Sequence, residues 1–121
     1  MKTALNYLSI VAVSIAHGIV GVSAMWYGRT HAALFLDTEM ELPVISQVIL
    51  AYTASPLPVV IGIGMALASL LGLILAARSP KWCGLLPFLL TLSLVSALLH
   101  LATVSFASNL PLVKLIRSSG H

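Results

Sequence analysis

Two histidines, His17 and His100, each stand near the middle of an apolar run long enough to cross a bilayer. An ionisable side chain at that depth is costly and marks a position with a job or with a partner. Two facing imidazoles could ligate a b-type haem, with Gly18 and Gly21 letting a flat ring approach the backbone. Equally, each neutral ring could hydrogen-bond a Ser, Thr or carbonyl on a neighbouring helix. Neither run holds a carboxylate to orient a histidine, no Ser lies in a nucleophile motif, and no phosphate loop is present. We therefore expect no catalytic residue and no enzyme. A second cluster, His31, Asp37, Glu39 and Glu41, has the side chains of a zinc or manganese site. Its spacings of six, two and two match no ligand motif, so we expect a solvated acidic loop and no metal. The single Cys83 excludes an internal disulfide and any CxxC site.

The elements that must position these residues follow from composition. Of 121 residues, 60% are hydrophobic and 7% charged, with mean hydropathy +1.09; soluble domains are roughly a quarter charged. This is an all-α membrane protein of one domain. The net charge of +3 is scattered over Lys2, Arg29, Arg78, Lys81, Lys114 and Arg117, which excludes a nucleic-acid interface. Three spans are expected, at about residues 4–27, 57–77 and 84–107, with a loop over 28–56 and a tail over 108–121. Trp26 and Tyr27 fit an interfacial belt at the end of the first span. Val22-Ser23-Ala24 also resembles a signal-peptide cleavage site, but the apolar block before it exceeds the ~7–15 residues of an h-region, which favours an uncleaved span. Within the loop, Val44 to Ala54 reads as a short interfacial helix, with Ile45, Val48, Ile49 and Tyr52 on one face and Ser46, Gln47 and Thr53 on others. Pro56 and Pro58 end it and open the second span, and Pro87 falls in the first turn of the third. The tail is too short to span and reads as interfacial or frayed.

We read the second span, Leu57 to Ala77, as the segment around which the others are arranged. Gly64, Ala68, Gly72 and Ala76 recur at every fourth position and form one ridge where another backbone can approach closely. That ridge serves either the chain's own helices or a partner. Ser69 is expected to bond its own helix backbone. Lys2, Arg78 and Lys81 on one side balance Arg29, Lys114 and Arg117 on the other. Weighting the first helix and the two-charge turn places the N-terminus in the cytoplasm.

The window Phe35-Leu36-Asp37-Thr38-Glu39-Met40-Glu41-Leu42-Pro43-Val44-Ile45-Ser46, followed by Val48-Ile49-Leu50 and closed by Arg78, resembles one transmembrane hairpin of the type II secretion F family. That family forms the inner-membrane platform that also serves type IV pilus assembly. The likeness covers residues 4–78. The family's cytoplasmic domains are missing, and Glu39 stands where a Gly is usual. The resemblance implies an extracytoplasmic loop, a bacterial inner-membrane location and a scaffold role more than a catalytic one. Three functions stay open: a scaffold, accessory or assembly subunit that packs against itself or a larger membrane complex; a haem- or quinone-handling anchor of an electron-transfer complex; and a holin-like lesion former, which the sparsely charged tail suits less.

Overall fold

A computed structural model describes residues 2–36 and 41–119. In chain order the described residues form α1 (Lys2–Leu36), α2 (Val44–Ala54), α3 (Leu57–Arg78), a 3₁₀ turn (Cys83–Leu85) and α4 (Leu86–Ser119). The fold is all-α, and α1, α3 and α4 are each long and apolar enough to cross a membrane. The 22 residues of α3 rise about 33 Å, close to the ~30 Å hydrocarbon core. At 35 and 34 residues, α1 and α4 rise about 50 Å and overshoot it at the same end. There α2 fills in. It runs antiparallel to α4, with Ser46 opposite Ala107 and Tyr52 opposite His100. Thus α2 and α3 together make one middle pass, broken at Ser55-Pro56.

In lipid every backbone polar group must find a partner inside the protein, so each proline creates an obligation four residues upstream. Pro56 leaves the Tyr52 carbonyl without its helical donor, and the Ser55 hydroxyl donates to it at 2.6 Å. At the same break Pro58 frees the Ala54 carbonyl, which accepts from Arg29 Nη2, while Thr53 O accepts from Arg29 Nε, both at 3.2 Å. A guanidinium at a helix C-terminus also meets the negative end of its dipole. Pro80 and Pro87 free Ala76 O and Cys83 O, which accept from the Ser79 and Leu86 amides. Pro111 lies inside α4 and frees Ala107 O, which the Ser46 hydroxyl reaches from α2 at 2.7 Å. The helix therefore continues through proline.

The hub is α1. Among its buried residues, Ile10, Ser14, His17, Gly21, Ala24, Gly28 and Phe35 follow the three-four spacing of a packing seam, with Val20 buried beside it, and its most extensive contacts are with α3, then α4. A Cβ on Gly21 would lie 2.6 Å from Pro58 O, and one on Gly62 would lie 2.8 Å from His17 O, so two backbones meet there. Polar residues line the inside: Ser14, His17, Ser46, Thr53 and Ser108 are buried, whereas Leu8, Ile19, Leu71, Leu75 and Phe88 face outward. Where lipid is the solvent, that distribution is the stable one.

Three expectations change, and the inward face of α2 is set. The organising helix is α1 rather than the second span, because its seam carries the small residues that let two neighbours approach. The expected short helix α2 is present; it buries Ser46, Leu50 and Thr53 and exposes Val44 (75%), Ile45 and Val48, with Ser46 donating to Ala107 O and Thr53, bonded to Leu50 O of its own helix, packed on Gly28. Residues 28–36, read as loop, continue α1. The described tail residues 108–119 continue α4 and are tied to α1 by Asn109 Nδ2 donating to the Tyr27 hydroxyl at 2.9 Å.

Candidate functional site

Near the middle of the bundle three helices are joined through one serine. His17, 3% exposed on α1, shares a 3.0 Å hydrogen bond through Nε2 with Ser93 Oγ of α4. Ser93 Oγ in turn pairs at 2.8 Å with Ser69 Oγ of α3. Ser69 thus bonds across to α4 rather than to its own backbone, because its face of α3 is the one turned to Ser93. His100 is tied elsewhere, its Nε2 sharing a 2.9 Å hydrogen bond with the Tyr52 hydroxyl of α2. The two histidines are thus held on separate hydroxyls, on different pairs of helices. Each Nε2 is engaged, and iron ligation through those atoms would require both bonds to open.

Residues of the loop cluster part company. His31 donates from Nδ1 to the Tyr27 carbonyl of its own helix at 2.9 Å and stacks between Tyr27 and Phe35, with ring centroids 4.1 and 6.4 Å away. Glu41 is exposed, and Asp37 and Glu39 lie outside the described residues. No cluster of metal-ligating side chains occurs among the described residues. Cys83 is exposed in the turn before α4.

The ridge is open. Gly64, Ala68 and Gly72 are exposed and Ala76 is half-buried; a Cβ on Gly64 or Gly72 would meet nothing within 4 Å. Whereas α1 grips both α3 and α4, the latter two touch each other sparingly. Between them runs a groove of about 490 Å³, lined among others by Met65, Ala68, Gly72, Leu89 and Leu92, with Ser69, Ser93 and Ser96 as its polar spots. Small residues of α3 give close backbone access on one wall, and Ser93 of its lining bonds the buried His17 imidazole behind it.

No known family, curated protein or solved structure matches this chain.

Sequence reasoning did not find Ser93 as the three-way junction, Arg29 as the cap of α2, or Gly21 and Gly62 as the crossing point. A signal for the last was present. Gly21 and Gly28 stand seven residues apart and in register with Ser14 and His17, a small and polar stripe that in lipid marks the inward face.

Proposed function

We propose that this protein is a non-enzymatic subunit of a bacterial inner membrane, with its N-terminus and the Arg78–Lys81 turn on the cytoplasmic side, that scaffolds a larger assembly by helix packing. One observation carries the reading. The chain's own close helix crossing is made at Gly21 and Gly62, yet α3 keeps a second row of small residues, of which Gly64, Ala68 and Gly72 are exposed and Ala76 half-buried, and a Cβ at Gly64 or Gly72 would meet nothing within 4 Å among the described residues. Helix association in lipid rests on such surfaces, and a partner's transmembrane helix laid along α3 would find backbone contact there. The glycine crossing holds α3 to α1 and the Ser69–Ser93 bond holds it to α4; neither uses Gly64 or Gly72, which supports a role for them in assembly. The likeness of residues 4–78 to a secretion-platform hairpin points the same way. The test is recovery of the native assembly in mild detergent. Gly72→Leu is expected to reduce it strongly while insertion and helicity stay unchanged, and undiminished recovery would remove the ridge from the account.

A further inference from the structure

The groove between α3 and α4 does not end at mid-membrane. It passes Gly72 and Leu89, which line both halves, and opens into a mouth of about 350 Å³ bordered by Leu75, Ala76, Ser79 and Trp82. From Met65 to Ser79 the wall rises about 21 Å, enough to cover the ~15 Å depth of one leaflet. Apart from its hydroxyls the groove is lined by apolar side chains and Gly72, with the one aromatic ring, Trp82, at the mouth, a surface that suits an acyl chain. Lys81 holds its Nζ 5.9 Å from the centre of the ring of Trp82, which borders the mouth, and Arg78 ends α3 one residue before Ser79, which borders it too. Both are exposed, and neither has a carboxylate within ion-pair distance among the described residues. A tryptophan at this level sits where lipid headgroups lie, and basic pockets between transmembrane helices at the cytoplasmic face suit anionic heads.

We propose that the groove binds one anionic phospholipid, with its head between Arg78 and Lys81 and one acyl chain laid along Ala76, Gly72 and Ala68. The site goes beyond the docking reading and stands without it. Because both use Gly72 and Ala68, lipid and partner helix occupy the groove in turn and not together.

The experiment is native mass spectrometry of the purified chain, titrated with phosphatidylglycerol and phosphatidylethanolamine carrying identical acyl chains. The expected result is one retained phosphatidylglycerol in clear preference. Arg78→Gln and Lys81→Gln should each lower that preference about fivefold, while Gly72→Leu lowers retention of both lipids. Arg78 is the exposed last residue of α3 and Lys81 is exposed in the turn after it, and circular dichroism checks the fold of both variants. Equal retention of the two lipids would overturn the proposal, as would a preference that survives the Arg78→Gln, Lys81→Gln double variant, or a second copy of the chain found in the lipid's place. The charge variants leave the ridge intact, so they are expected to recover the native assembly normally. Loss of lipid preference and loss of docking are thereby separable.

Discussion

At the scale of single residues, the recurrent theme is a carbonyl set free by proline and taken up by a side chain from another helix. Ser46 and Pro111 are the clearest pair, because the proline lies inside α4 and the hydroxyl is fully buried on α2. Removing the donor by Ser46→Ala leaves Ala107 O orphaned, at a cost of about 1–2 kcal/mol, the upper end for hydrogen bonds between membrane helices. In a Pro111→Ala background the helix supplies its own N–H, and the same Ser46→Ala change should then cost little. A double-mutant cycle in denaturant titrations measures the difference. Tyr52 and His100 offer a second pair: Tyr52→Phe removes the 2.9 Å hydrogen bond between α2 and α4 and should cost about 1 kcal/mol in the same titrations. Ser108 departs from the theme, its buried hydroxyl having no hydrogen-bond partner among the described residues.

At the scale of the elements, the glycines of α3 have opposite roles. Gly62 faces α1 at a backbone crossing, whereas Gly64 and Gly72 face outward. Gly21→Ala would press a methyl group against Pro58 O, which cannot yield as a flexible side chain would, and should destabilise the bundle by about 2 kcal/mol or more. Gly64→Ala meets open space and should stay within about 0.5 kcal/mol of the parent. Unfolding of the two variants side by side separates the two roles, and equal effects would mean that the crossing has been misplaced. The broken middle pass follows the same economy of ties. Prolines end α2 and begin α3, and Arg29 from α1 takes the carbonyls exposed between them. A positive charge that the sequence offers only as a topology signal is thus also the cap of a helix.

At the scale of the whole molecule, the number of spans, the existence of α2, the break at Pro56 and Pro58, and the place of Pro87 in the first turn of α4 could all be read from the sequence. Each depends on local chemistry, namely apolar length and the missing proline N–H. What could not be read was which face of each helix turns inward. In water, Val44, Ile45 and Val48 would seek the core and Ser46 and Thr53 the solvent. In lipid the apolar faces are already at home, so hydrogen bonding decides, and the partners of Ser46, Ser69 and His100 depend on the register between helices. The same reasoning explains why the ridge was visible but its occupant was not: spacing shows a helix that can be approached closely, and only the packed bundle shows which close approaches are already used. The central claim is that the unused row on α3 is where this protein meets its assembly. The most direct measurement compares the size of the detergent-extracted assembly for Gly72→Leu and for Leu71→Val, a neighbouring exposed position off the ridge. The account predicts that Gly72→Leu collapses the assembly toward the single chain while Leu71→Val leaves it intact; equal sizes for the two variants and the parent would contradict it.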